Sequence, residues 1–207
     1  NYNTAVGYAA LRDQNGSANY NTAFGYTAMQ NTTTSSGNVA VGGFAMQSNT
    51  SGDSNVAVGY QALDASQQGD RNTAVGYQAL TTLNPSGNVD TYNSAFGYRA
   101  LASLTTGTAN TALGFGTLEN TTTGANNTAV GGAALQVNDG DRNTAVGYNS
   151  LQANSSGDYN TAVGWGSLDS NTSGNYNVGI GYEALDATDD GASNVGVGYG
   201  ALGANCG

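Results

Sequence analysis

Asn72-Thr73-Ala74-Val75-Gly76-Tyr77-Gln78-Ala79-Leu80 decides the fold, because the same nine positions return along the whole chain. An Asn opens each copy at Asn3, Asn21, Asn38, Asn55, Asn72, Asn93, Asn110, Asn127, Asn143, Asn160, Asn177 and Asn194. These are twelve units, set 16 to 18 residues apart except for one interval of 21. A Gly stands four residues after every such Asn, and Leu or Met stands eight after it. Self-similarity at so short a period belongs to stacked architectures, in which a unit buries its apolar side only against its neighbours.

Each position of the unit has a physical reading. Asn at the first position suits a turn, since its amide bonds nearby backbone. Stacked in register, such amides can also form a ladder. The third position is small, and the fourth is apolar and mostly β-branched (Val6, Val41, Val58, Val75, Ile180), which favours a strand over Asn-Thr-Ala-Val. The constant Gly points to positive φ or a close backbone approach. The tail Tyr60-Gln61-Ala62-Leu63 reads equally as a second strand or a single helical turn. Tracts such as Asn120-Thr121-Thr122-Thr123-Gly124 are loop chemistry, and the longest unit carries its extra residues there, around Asn84-Pro85-Ser86-Gly87. The expectation is a mainly β, all-β solenoid: one array over residues 1–207, a parallel β-roll of twelve coils with two or three very short strands in each. The aliphatics at the fourth and ninth positions are expected to fill the coil. That core is thin, and several chains packed side by side would enlarge it.

Fourteen acidic residues face four basic ones (Arg12, Arg71, Arg99, Arg142), and neither Lys nor His is present. A net charge of -10 argues against nucleic acid or anionic lipid as a partner. No apolar run approaches the roughly 18 residues of a membrane span. No signal peptide is visible, and the chain, starting at Asn1, reads as a fragment or processed product. Cys206 is the only cysteine, an incidental free thiol or a link between chains.

Two columns run through the units as candidate functional surfaces. The sixth position is aromatic at Tyr8, Tyr26, Tyr60, Tyr77, Tyr98, Phe115, Tyr148, Trp165, Tyr182 and Tyr199, and Gly at Gly43 and Gly132. A stacked ladder would cover the coil or fill a groove between chains; the alternative is a carbohydrate-binding stripe. The second position carries Thr4, Thr22, Thr73, Thr111, Thr128, Thr144 and Thr161, with Ser94 and four Val. A flat face of hydroxyls and methyls in that column would suit an ice-binding solenoid.

The core Ala-Val-Gly-Tyr-x-Ala-Leu resembles the head repeats of trimeric autotransporter adhesins of the YadA type. It is still more similar to the N-T-A-V-G-Y-Q-A-L arrays of phage-type tail fibres, a string that residues 72–80 carry whole. The resemblance covers nearly the entire chain. It implies a left-handed parallel β-roll that trimerises into an extracellular fibre on a cell or virion surface. Such a segment spaces or presents a surface that binds a glycan or protein receptor, with no membrane insertion of its own. The unit here is longer than in the adhesin heads, and its aromatic column is a departure from them.

Little in the sequence points to catalysis. Without His or Lys the commonest general bases and Schiff-base nucleophiles are missing, so the chain is read as a non-enzyme without cofactor or metal. Gly179–Gly181 and Gly196–Gly198 lack the third Gly and the strand-to-helix setting of a dinucleotide loop. Asp53, Asp70, Asp141 and Asp158 each follow a loop Gly and read as solvated charges. Calcium is the sharper alternative for acids clustered as in Asp139-Gly140-Asp141, although the spacing matches no EF-hand.

Overall fold

A computed structural model describes residues 2–187 and 189–203; Cys206 lies outside them. The strands are β1 (Thr4–Val6), β2 (Thr22–Phe24), β3 (Val39–Val41), β4 (Val56–Val58), β5 (Gly69–Asp70), β6 (Thr73–Val75), β7 (Val89–Asp90), β8 (Ser94–Phe96), β9 (Thr111–Leu113), β10 (Thr128–Val130), β11 (Thr144–Val146), β12 (Thr161–Val163), β13 (Val178–Ile180) and β14 (Val195–Val197). Twelve of them, all but β5 and β7, form one parallel sheet in chain order. Register is strict, as in Thr144↔Thr161, Ala145↔Ala162 and Val146↔Val163. The chain is therefore an all-β parallel solenoid. Most coils contribute a single strand, fewer than expected. In the longest coil, β7 follows the extra residues and pairs in parallel with β5 in the loop of the coil before, off the main sheet.

The opening Asn sets the coil. Its Oδ1 accepts the backbone N–H of the next coil's Asn at every step, from Asn21 onto Asn3 (2.8 Å) to Asn194 onto Asn177 (2.9 Å). Its Nδ2 donates to the loop carbonyl 14 residues on, as in Asn110 to Gly124 (2.8 Å) and Asn160 to Gly174 (2.8 Å), which closes the turn of the coil. At Asn72, where the insertion lengthens the loop, Nδ2 turns instead to the carbonyl of Asp70 (3.1 Å) and Thr91 donates its hydroxyl to Oδ1 (2.8 Å). From Asn21 to Asn177 these side chains are buried, and each holds groups that would otherwise be orphaned.

The core corrects one expectation. The inward residue of each strand is the small third one: from β2 onward Ala23, Ala40, Ala57, Ala74 and their equivalents are buried, and only Ala5, in the terminal coil, is exposed. The β-branched fourth residue points out of the coil. Val6, Phe24, Leu113 and Ile180 are exposed, and Val41 and Val75 are half-buried. A 17-residue coil is too narrow for a large side chain on both walls. The ninth residue, Leu63 or Leu80 for example, fills the interior opposite the Ala column, together with buried Asn49, Asn138, Asn154 and Asn171. Where the third residue becomes Gly179, an added Cβ would lie 2.6 Å from Ser167 Oγ, so the wall has closed in there.

The tail is neither strand nor helical turn. Its seventh and ninth residues lie in the left-handed region whatever their identity, as in Gln61 (φ 53°) and Leu63 (φ 52°). Left-handed backbone costs a non-Gly residue about 1–2 kcal/mol. Bonds to the coils on either side hold it: Gln61 N–H reaches Gly43 O (3.0 Å) and Leu63 N–H reaches Ala79 O (3.0 Å). The fifth-position Gly answers both expectations for it. Gly147 has φ 137°, and a Cβ there would run into the carbonyl of Gly164.

Two substitutions test this frame. Asn110→Ala strands the N–H of Asn127 and the carbonyl of Gly124, and should lower unfolding free energy by roughly 2–5 kcal/mol in a urea titration. Gly147→Ala should lose at least about 3 kcal/mol through strain and overlap, with partial loss of the β signal in circular dichroism.

Candidate functional site

Because the third residue faces in, the second and fourth face out, and the sixth follows two residues later. All twelve coils repeat this, so two outward columns run along the sheet and a third, exposed, runs along the turns that follow it. Not one of their thirty-six positions holds a charged residue. The fourth-position column is apolar throughout, with Phe24, Phe96, Leu113 and Ile180 its largest exposed members. The second-position column brings Thr4, Thr22, Thr73, Thr111, Thr128, Thr144 and Thr161 into one line, exposed or half-buried, with Val at the other places but Ser94.

The aromatic column is exposed along its length. Tyr8 and Tyr26 stack at 5.3 Å between ring centroids, Tyr60 and Tyr77 at 5.5 Å, and Tyr77 and Tyr98 at 5.5 Å, all within 14° of parallel. Trp165 and Tyr182 stack at 5.0 Å, and Tyr182 and Tyr199 at 5.2 Å. Strand register explains this, since in-register strands lie about 4.8 Å apart and side chains repeat at that pitch. Both gaps are repaired. At Gly43 the next residue, Phe44, inserts edge-on between Tyr26 (5.3 Å) and Tyr60 (5.6 Å). At Gly132 the ring of Phe115 occupies the space a Cβ would take and reaches Tyr148 at 6.3 Å. Phe44 was missed in the sequence because it stands one place late in the unit. Most rings stack on a neighbour, with edge-on or tilted contacts at Phe44 and Phe115, so the column is a ribbed, exposed aromatic strip.

The residue before each opening Asn forms a further column that periodicity of the nine-residue core does not reveal. Tyr2 stacks on Tyr20 (5.2 Å), and Tyr159 on Tyr176 (5.1 Å). Arg71 lies over Tyr92 (5.7 Å) and Arg142 over Tyr159 (5.3 Å), both from the string Gly-Asp-Arg-Asn.

The loop acids are more than solvated charges. Asp70 accepts the N–H of Asp53 (2.7 Å), Asp141 that of Ala125 (2.8 Å) and Asp158 that of Asp141 (2.7 Å), a second relay on the outside of the coil. Burial raises the carboxyl of Asp70, as it does those of Asp64 and Asp169, the last also beside Asp186 and Glu183. Burial works in the same direction on Asp139, but the N–H groups of Thr123 and Thr122 and the Thr122 hydroxyl outweigh it and hold that carboxyl low. Among the described residues no three His, Cys, Asp or Glu side chains group closely enough to hold a metal ion.

No family model, curated protein or solved structure matches this chain. The site is defined by its own geometry: an uncharged, apolar and aromatic strip on one side of a regular rod.

The carboxyls predict the pH response. Asp64, Asp70 and Asp169 bind a proton more tightly folded than unfolded. Their contribution is fully present below the ordinary carboxylate value of about 3.9 and is lost as pH rises through their raised folded values. The low Asp139 contributes above that value and fails only in stronger acid. The melting temperature should therefore rise as pH falls from 7 toward about 4.5, and Asp64→Asn with Asp169→Asn should flatten the rise.

Proposed function

We propose that the chain is a segment of a homotrimeric fibre, with the uncharged strip as the surface on which two further copies pack. The observation that carries this reading is the distribution of charge. On a chain of net charge -10, columns two, four and six hold no charge in any coil, and all fourteen acids and four Arg stand at other positions. Like-charged copies approach most favourably through such a strip. Twelve strands at ~4.8 Å and four residues at ~3.3 Å give it on the order of 700 Å². That is near the ~800 Å² each partner gives up in a stable interface, and larger than the patch an ordinary monomer leaves bare. The resemblance to adhesin heads and tail-fibre arrays supports the same role: an extracellular, non-catalytic spacer or presenter of a receptor-binding surface on a cell or virion, with a glycan or protein as the partner.

A second reading, an ice-binding face, rests on the outward Thr column of the same flat sheet. Phe24, Phe96 and Leu113 beside that column break the regular relief which ordering of water requires, so the fibre is preferred.

Light scattering on a size-exclusion column separates the two. Three chains per particle, falling to one in Leu113→Glu with the β signal retained, is the expected result. A compact monomer in the unaltered protein, with thermal hysteresis lost on Thr111→Glu, would favour ice instead.

A further inference from the structure

The column preceding the opening Asn stands outside the uncharged strip and holds two isolated tyrosine pairs. Tyr2 and Tyr20 stack at 5.2 Å and 10°, and Tyr159 and Tyr176 at 5.1 Å and 13°. All four rings are open to solvent, Tyr159 at 44% and Tyr176 at 58%. The left-handed backbone at Tyr20 (φ 58°), Tyr159 (φ 58°) and Tyr176 (φ 60°), tied coil to coil by bonds such as Tyr176 N–H to Asp158 O (3.1 Å), repeats the same geometry at each level. Each pair is closed on its own. Arg142 covers the far side of Tyr159, Ser193 follows Tyr176 in the column, and Gly37 follows Tyr20.

We infer that these pairs are sites of oxidative cross-linking to dityrosine, with a peroxide and a haem-type peroxidase as the co-reactant. Each phenol loses one electron and one proton to give a phenoxyl radical. The two radicals join through a carbon–carbon bond between ring positions ortho to the hydroxyls, and both rings regain aromaticity by tautomerisation. Two tyrosines and one hydrogen peroxide thus give one dityrosine and two waters. Parallel stacking places the ortho carbons of one ring beside those of the next, so the second radical meets its partner without diffusion. The product joins consecutive coils covalently, a staple for a rod that has no disulfide among its described residues. Tyr92, in the same column, sits between Arg71 and Ala109 and has no tyrosine partner there.

The test is to treat the folded protein with hydrogen peroxide and a haem peroxidase, digest it and map joined peptides by mass. The expected product links Tyr159 to Tyr176 within one chain, two hydrogens lighter than the separate peptides and fluorescent as dityrosine. Its yield should exceed that in denaturant by at least about tenfold, since the stack supplies the proximity. Tyr176→Phe keeps the stack but forms no phenoxyl radical; it should abolish this product and leave Tyr2–Tyr20 intact. Equal yield in denaturant, coupling of Tyr92 as frequent as that of Tyr159, or bonds formed between chains rather than within one would overturn the inference. A monomeric protein would leave it standing, because these pairs do not depend on the fibre interface.

Discussion

The amide of the opening Asn is the constraint on which the remainder depends. One side chain per coil accepts from the strand above and donates to the loop that closes its own turn, as Asn110 does toward Asn127 and Gly124. Because both partners are backbone groups, a neighbouring residue can change without disturbing them. This fixes the start of every strand relative to the one before, and with it the register of every column. The loop Gly follows from the same bond. Gly157 lies against the side chains of Asn154 and Asn160, where any Cβ would intrude.

The repeat, the parallel stacking and the strand over the second to fourth positions were legible from residues 72–80 and their copies. The facing of the strand was not. Alternation offers two choices, and hydropathy argues for burying Val75 over Ala74. The available space decides otherwise: Leu80 and, three residues on, Leu83 fill the interior, and the strand wall is left with room for Ala74 alone. The tail was illegible for a related reason. Leu is a poor residue for positive φ, so nothing in Leu63 or Leu80 announces it. Hydrogen bonds to both neighbouring coils impose that conformation, and they belong to the array rather than to any one unit.

The outward columns were legible as lists of residues and not as a surface. Once Ala faces in, the Thr and Val columns must share one side, the exposed Tyr column follows at the turn beyond the strand, and the absence of charge from all three becomes a property of a surface. The loop acids illustrate the converse. Asp141 and Asp158 read as solvent charges in sequence, yet each caps an N–H of the coil before it. Their placement adds a second thread of bonds along the rod.

Coils of 16 to 21 residues each advance the rod by one strand spacing. Seventeen residues laid as α-helix would reach about 25 Å, whereas here they advance about 4.8 Å. The insertion after Leu80 shows that residues added within a coil go sideways and leave that advance unchanged. Length is therefore counted in whole copies of the unit: duplication or loss of a copy moves one end by a fixed step, and sequence drift inside a copy leaves the measure untouched. The array behaves as a ruler whose graduations are set by hydrogen-bond pitch and whose reading is set by copy number.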